Sequence, residues 1–185
     1  MKKLRFEKTS IEGLMVIEPF CAPDERGYFS KYFEADIFKE HGIRMNVHEC
    51  CESRSTAGVI RGLHFQRRHW QDKLVRCLSG ELFDVAVDLR KGSPTFGKWE
   101  GFFLSPENQK LVYIPVGFAH GFLALKPNTI ISYLCGDRYD PESDGGIRWN
   151  DPDLGVDWPM ETVGTELIVS EKDGNLPFLR EVVFN

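Results

Sequence analysis

The sequence lacks the long apolar and long basic segments that mark several classes of protein. Within its 185 residues, no run approaches the about 20 apolar residues that a membrane helix needs. The charged start, Met1–Lys8, is followed by no apolar stretch, which argues against a secretory signal. No long Lys/Arg run occurs and the formal net charge is -5, which disfavours nucleic acid as a ligand. We therefore predict a cytoplasmic protein with neither a membrane nor a nucleic acid as its partner.

Cysteine is sparse, and its spacing argues against two further kinds of site. The five cysteines include the adjacent Cys50 and Cys51, and none forms a Cys-x-x-Cys pair, so neither a zinc ribbon nor a redox motif is predicted. Reduced thiols are the simplest interpretation. The sequence also has no cofactor-binding motif, and we expect no cofactor. The content of 42% hydrophobic and 12% aromatic residues is that of a globular chain.

What the chain does have is a series of short alternating segments separated by turn residues. In Glu81–Leu89, Phe83 and Val85 share one face while Asp84 and Asp88 share the other, as in a β-strand. Similar runs are Met15–Glu18, Val59–Phe65, Lys73–Leu78, Phe102–Leu104, Leu111–Ile114, Gly121–Leu125 and Thr129–Leu134. Short strands with turns between them are typical of a sandwich or a barrel, so the sequence predicts an all-β fold.

Signals for helices and for domain boundaries are few. Ala35–His41 is predicted to form about two turns of helix that end at Gly42. The residues from Asp144 onward have the composition of an ordered loop with short helical pieces. No internal repeat, linker or low-complexity tract divides the chain, so residues 1–185 are predicted to form one domain.

Two histidines lie in apolar, β-prone segments that also contain glycine. His64 is in Arg61-Gly-Leu-His-Phe-Gln66 and His120 is in Gly117-Phe-Ala-His-Gly-Phe122. His64 is either a core histidine bonded to a backbone carbonyl or a general base, since imidazole titrates near neutral pH. The glycines are expected to let a substrate approach the backbone. A metal site using His64, His69 and His120 is a competing hypothesis, although scattered nitrogens without a paired carboxylate make a weak ligand set.

Four other side chains have both a structural and a functional interpretation. Lys73 alternates with Val75 and is either solvated or directed into a barrel mouth. Tyr133 ends an apolar run and is either a packing residue with a wet hydroxyl or an acid. Arg26 has the character of a surface turn residue. Arg61 is a better candidate for binding phosphate, because a guanidinium group pairs with two phosphate oxygens at once.

Taken together, the motifs of the chain resemble those of the dTDP-4-dehydrorhamnose 3,5-epimerases over nearly its whole length. The matching motifs are Asp24-Glu-Arg-Gly27, Arg61-Gly-Leu-His-Phe-Gln66, Lys73-Leu-Val-Arg76, Val87-Asp-Leu-Arg90, Ser93-Pro-Thr-Phe-Gly97, Pro115-Val-Gly-Phe-Ala-His-Gly-Phe122, Trp149-Asn-Asp-Pro152 and Ser170-Glu-Lys-Asp173. The resemblance implies a cupin-type jelly-roll barrel with short peripheral helices, a homodimer and no metal. It implies an isomerase that inverts C3 and C5 beside the ketone of a nucleotide-linked 4-keto-6-deoxyhexose, most simply the dTDP sugar on the route to L-rhamnose.

The resemblance also implies roles for individual residues. By motif match, His64 is the general base, Asp173 is its carboxylate partner, Tyr133 is the acid on the opposite face, and Lys73 stabilises the enolate oxygen. The nucleotide sugar is expected to be bound by Arg26, Arg61, His120, Tyr139 and Lys172. Such an enolate forms readily only where its negative oxygen is stabilised, which a lysine ammonium in a dry pocket provides.

Several positions in the expected substrate-binding set differ from the family's usual residues. Lys31 and Asp144 each stand where Glu is typical, and Glu49-Cys50-Cys51 stands where Gln-x-Asn is typical. Lys31 is expected to complement a nucleotide other than dTDP, to pair with Glu49, or to point into solvent. The alternative functions are an epimerase of one carbon or of another nucleotide sugar, a metal-dependent cupin enzyme, and a sugar-binding module without catalysis.

Overall fold

Strands make up most of the computed structural model, which describes residues 4–164 and 166–183. The strands are β1 (Arg5–Lys8), β2 (Met15–Glu18), β3 (Phe20–Asp24), β4 (Gly27–Lys31), β5 (Glu49–Ser55), β6 (Val59–Gln66), β7 (Lys73–Ser79), β8 (Leu82–Asp88), β9 (Trp99–Leu104), β10 (Leu111–Ile114), β11 (Phe118–Ala124), β12 (Thr129–Cys135), β13 (Asp144–Gly146) and β14 (Ile168–Val169). The helices are α1 (Ala35–Glu40), α2 (Glu171–Gly174) and 3-10 turns at Met160–Thr162 and Leu179–Glu181. The predicted all-β class is confirmed.

The strands form two facing sheets and one separate hairpin. The first sheet has the order β1-β2-β10-β7-β12-β5, and the second has the order β13-β6-β11-β8-β9. All neighbours in both orders are antiparallel, while β14 adds a parallel pairing to β6. β3 and β4 pair only with each other. Consecutive strands such as β6 and β7 lie in different sheets, so the chain crosses between the sheets as in a jelly roll.

An apolar core fills the space between the two sheets. Val75 and Ile131 of the first sheet pack with Ala86 and Phe122 of the second, and none of the four is more than 2% exposed. Because side chains alternate along a strand, the face of β8 that carries Ala86 also carries Asp84, which is completely buried. The polar face of this strand therefore points into the barrel and not into water.

The outer faces of both sheets are covered as well. On the second sheet, Phe83 of β8 packs against Trp158 from the segment that follows β13. On the first sheet, Leu74 of β7 belongs to an apolar cluster with Phe38 of α1. This coverage explains why β8 is buried on both faces, and it places α1 at the periphery as predicted.

The sequence located most of the strands but missed those that are very short or mostly polar and those of the separate hairpin. α1 ends one residue before the predicted His41, and Gly42 follows with a φ of 83°. The strands β1, β3, β4, β5, β13 and β14 were not expected. In β5, polar residues occupy most positions of Glu49–Ser55, so its pairing with β12 is a tertiary effect. Within the described residues, no helix combines the length and apolar character needed to cross a membrane.

Candidate active site

Two adjoining cavities lie at one end of the barrel, where β5, β6, β7, β11 and β12 come together. Their volumes are about 340 Å³ and about 200 Å³. Both cavities are lined by His64, Gln71, Lys73 and Tyr139. This shared lining of imidazole, ammonium and phenol groups makes it the candidate active site.

Two glycines bring the histidine-bearing strands unusually close together. A Cβ on Gly62 would lie 2.6 Å from the Cα of Gly121 and 2.8 Å from the carbonyl oxygen of His120. Gly62 also has a φ of 119°, which favours glycine. The expectation that this glycine makes room for a substrate is therefore wrong, because backbone fills the space. The close approach instead sets His64 directly across from His120 in the β6–β11 register.

His64 forms a tight pair with the carboxylate that the family motif assigned to it. Its Nε2 lies 2.8 Å from Oδ1 of Asp173, which is 4% exposed. The other carboxylate oxygen of Asp173 accepts a hydrogen bond of 3.1 Å from the Gly62 N–H. Asp173 is held by the short helix α2, where its own N–H donates to the Ser170 hydroxyl. The pair thus joins β6 to a residue more than a hundred positions away.

The surroundings keep Asp173 ionised and define the tautomer of His64. Burial opposes the charged form of Asp173, but the hydrogen bond and charge of His64 and the Gly62 N–H outweigh it, so the pKa of Asp173 lies below its ordinary value. An ionised carboxylate only accepts hydrogen bonds. Nε2 of His64 must therefore carry the hydrogen, which leaves Nδ1 as the basic nitrogen in the cavity.

Tyr133 is a half-buried phenol on the opposite sheet. It lies on β12, and its hydroxyl is 2.8 Å from the Ser53 Oγ on the neighbouring β5. Burial raises the pKa of Tyr133 well above its ordinary value, although the Ser53 hydrogen bond acts in the other direction. The phenol is therefore protonated at physiological pH and can serve as a proton donor.

Lys73 lines both cavities, and the larger of them is also lined by the base and the phenol. It begins β7 on the face that also carries the fully buried Val75, so its side chain points into the barrel mouth, as one of the two interpretations of the sequence required. Its Nζ donates to Oε1 of Gln71 over 2.9 Å. The remaining ammonium hydrogens face the cavity. Lys73 is therefore placed to bind a negatively charged oxygen there.

The structure brings together most of the predicted binding residues. Arg61, His120, Glu49 and Cys51 line the larger cavity, and Tyr139 lines both. Lys172 and Asp144 line the smaller one, where they form an ion pair. Asp144 also accepts a hydrogen bond of 3.1 Å from the Tyr139 hydroxyl. Glu49 accepts the backbone N–H of Tyr139 over 2.8 Å. These contacts link Glu49 and Asp144, two of the residues that differ from the family's usual set, to the loop that carries Tyr139.

Three predicted binding residues lie elsewhere. Arg26 and Lys31 belong to the β3–β4 hairpin, where Arg26 pairs with Asp24 and Lys31 pairs with Glu34. Within one chain, Lys31 therefore pairs with the local carboxylate of Glu34 and not with Glu49. Cys50 is exposed and alternates with the cavity-lining Cys51 along β5, so its side chain points away from the cavity.

The histidines considered as metal ligands each have a different partner. His64 is paired with Asp173, His120 with Asp84 at 2.7 Å, and His69 with Asp137 at 3.3 Å. In the described ranges, no group of three or more His, Cys, Asp or Glu side chains is arranged to hold a metal ion.

Gln66 lies two residues after His64 at the end of β6 and is 4% exposed. Its amide nitrogen donates to the His69 and Arg138 carbonyls, while its oxygen accepts the Asp140 N–H at 2.7 Å. Gln66 thus connects the loops around the cavity, and its polar atoms are committed to that structural role.

Sequence reasoning missed two polar residues next to the chemistry. Ser53 lies on β5, a strand that was not predicted, so its contact with Tyr133 had no local signal. Asp84 was placed on the polar face of its strand but was given no role. That face is the barrel interior. A carboxylate within a strongly β-prone run was therefore the sequence signal that could have identified Asp84 as a functional residue.

Fold and site together define a class: a cupin-type jelly-roll protein with a base–carboxylate pair and a half-buried phenol on opposite walls of one cavity. The model of the dTDP-4-dehydrorhamnose 3,5-epimerase family matches residues 8–181. The chain belongs to this family, which confirms the resemblance seen in its motifs.

Individual relatives support this assignment over the full length. The dTDP-4-dehydrorhamnose 3,5-epimerase of Methanothermobacter thermautotrophicus is 54% identical, with 98% of this chain and 97% of that protein covered. The crystal structure of dTDP-6-deoxy-D-glucose-3,5-epimerase from Legionella pneumophila in complex with dTDP-4-keto-L-rhamnose is 44% identical, with a TM-score of 0.93 and coverage of 98% and 95%. A 3'-monoepimerase from Streptomyces bikiniensis in complex with dTDP-quinovose is 34% identical, with a TM-score of 0.85 and coverage of 93% and 86%.

Proposed function

We propose that the protein is a cofactor-free epimerase that inverts C3 and C5 of a nucleotide-linked 4-keto-6-deoxyhexose, most simply converting dTDP-4-dehydro-6-deoxyglucose to dTDP-4-dehydrorhamnose. One observation carries the proposal: His64 is on the second sheet and Tyr133 is on the first, across a cavity that also holds Lys73. Inversion at a carbon requires a base on one face and an acid on the other, and the two sheets supply them.

The reaction starts with proton abstraction. Nδ1 of His64 takes the proton from the carbon beside the ketone, and the electrons of the C–H bond move onto the ketone oxygen. Asp173 stabilises the imidazolium that forms, while its hydrogen bond keeps the ring oriented. The ammonium group of Lys73 stabilises the enolate oxygen, an interaction that is stronger for the enolate than for the ketone.

Protonation from the opposite wall completes the inversion. Tyr133 gives its hydroxyl proton to the carbon on the face away from His64, and the Ser53 hydroxyl can donate to the phenolate that remains. His64 then releases its proton to water and the phenolate takes one from water, so the same two groups can serve both carbons that flank the ketone. No electron carrier is needed, because the substrate and product differ only in configuration.

Nucleotide-sugar binding is assigned to the basic and aromatic groups of the two cavities. Arg61 and Lys172 are suited to the diphosphate, because both present several N–H donors to anionic oxygens. Tyr139 is 54% exposed at the cavity mouth, where its ring can stack on a nucleobase. His120 lies deeper, beside the sugar.

A homodimer in the cytoplasm, with each chain forming one domain, completes the proposal. The β3–β4 hairpin exposes Tyr28 and Phe29, each 63% accessible, and a second copy of the chain would cover them. Arg26 and Lys31 lie on this hairpin, outside the cavity of their own chain, so in a homodimer they can contribute only to the partner's cavity. Sedimentation velocity should give a single species of twice the chain mass, and a monomer would contradict this part.

Deuterium labelling tests the function. The enzyme should be incubated with dTDP-4-dehydro-6-deoxyglucose in deuterated water and the product examined by NMR. We expect label at both C3 and C5 with both centres inverted. Label at one carbon alone would make the protein a mono-epimerase, as one of its relatives is. The UDP-, GDP- and CDP-linked 4-keto sugars, compared by kcat/KM, test which nucleotide is preferred.

A further inference from the structure

A second imidazole–carboxylate pair borders the larger cavity. Nε2 of His120 lies 2.7 Å from Oδ1 of Asp84, and the two side chains are 7% and 0% exposed. The two residues are diagonal neighbours on β11 and β8, because Phe122 is the direct partner of Asp84. His120 lines the cavity, so Nε2 faces the buried carboxylate and Nδ1 is the ring nitrogen left for the cavity.

Asp84 is an unusual residue for its surroundings. Its Oδ2 is buried and has no hydrogen-bond partner among the residues that the structure describes. The interior face of the same strand otherwise contributes Leu82 and Ala86 to the apolar core. A buried carboxylate with a bare oxygen is strongly unfavourable unless a cation neutralises it. Packing alone does not explain this residue, and an imidazolium at His120 supplies the missing charge.

The position of His120 indicates what such a charge would act on. His120 lies directly across from His64 in the β6–β11 register. Its ring centroid is 6.1 Å from that of Tyr133, in an edge-on arrangement. It therefore lies between the base and the acid, where a ketone flanked by the two reacting carbons would be held.

We propose that Asp84 is a positioning residue that holds His120 as an imidazolium whose Nδ1–H donates a charge-assisted hydrogen bond to the enolate oxygen, beside Lys73. The inference rests on the proposed function and adds a second cationic donor to it. No proton leaves His120 in this step: His64 takes the carbon-bound proton, and the electron pair moves onto the oxygen that Lys73 and His120 share.

Asp84→Asn tests the proposal, because it removes the charge with almost no change in size. Deuterium wash-in and inversion should fall by the same factor, about 10- to 100-fold as for other orienting partners, since both require the enolate. The Kd for dTDP should not change. Wash-in at the wild-type rate would overturn the proposal. Asp88→Asn is the matched control: Asp88 is equally buried on the same face of β8, but it bonds Arg90, Ser93 and Thr95 away from the cavities.

A double-mutant cycle tests whether Asp84 acts through His120. The Asp84→Asn/His120→Gln enzyme should be no slower than His120→Gln, whereas losses that multiply would overturn the proposal. The charge of His120 can also be measured directly in the wild-type protein, by NMR after labelling with ¹⁵N-histidine. An imidazolium signal for His120 is expected, and a neutral ring would overturn the proposal. If the wild type itself shows no wash-in, the proposed function fails; if it does and Asp84→Asn equals it, only this inference fails.

Discussion

Replacing Asp173 with asparagine should disable the base without unfolding the protein. Both carboxylate oxygens accept hydrogen bonds, one from His64 at 2.8 Å and one from the Gly62 N–H at 3.1 Å. An asparagine amide has one acceptor oxygen and one NH₂ donor. It can therefore satisfy only one of the two partners, and its two orientations have different consequences.

In the first orientation the amide oxygen keeps the Gly62 contact and the NH₂ group faces His64. The imidazole then accepts at Nε2 and carries its hydrogen on Nδ1, so the nitrogen in the cavity is no longer basic. In the second orientation the tautomer is retained but the buried Gly62 N–H loses its partner, which costs about 1–3 kcal/mol. We expect the first orientation, because a change of tautomer costs less than a buried unpaired donor.

The expected result is a fall in kcat of about 10²- to 10⁴-fold, the range for loss of a general base, with a change in Tm of no more than about 4 °C. Deuterium wash-in, stopped at timed intervals, measures the loss of rate. Calorimetry measures the change in Tm. Asp137→Asn is a matched control, because Asp137 pairs with His69 at 3.3 Å outside the cavities, and it should leave the rate unchanged. A near wild-type rate for Asp173→Asn would refute the reasoning.

Two further predictions follow from the same site. Because burial raises the pKa of Tyr133, the phenol keeps its proton beyond the ordinary tyrosine pKa of about 10. Its ionisation should therefore cause no loss of kcat up to that pH; an earlier loss that accompanies phenolate absorbance at Tyr133 would contradict this. Dialysis against a chelator should leave kcat/KM unchanged, and elemental analysis should find well under one metal per chain; activity that is lost and then restored by one metal would indicate a metal-dependent enzyme.

How much the sequence reveals depends on how local the signal is. The alternation of β8 is visible in Phe83 and Val85, and the strands with similar apolar faces were located. β5 was missed because its residues are mostly polar and its order comes from pairing with β12. The burial of β8 on both faces could not be predicted from its own residues either. It depends on Trp158 and other residues from distant parts of the chain.

The candidate site was predictable to a similar degree. His64 and Lys73 stood out within their own strands, and Tyr133 stood out at the end of an apolar run. Asp173 has no local feature that connects it to His64, and only the resemblance to a family placed the two together. Within the chain, Lys31 pairs with Glu34, a carboxylate three residues along the sequence, and this local partner was not considered among the alternatives for Lys31.

The most direct test of a base and an acid on opposite walls is the ratio of deuterium wash-in to inversion in Tyr133→Phe. This variant keeps the ring and removes only the hydroxyl, so His64 can still abstract and return a proton on its own face. We predict that wash-in persists while inversion falls, so the ratio rises well above that of the wild type. An equal loss of wash-in and inversion would contradict the account and would assign Tyr133 to binding or packing.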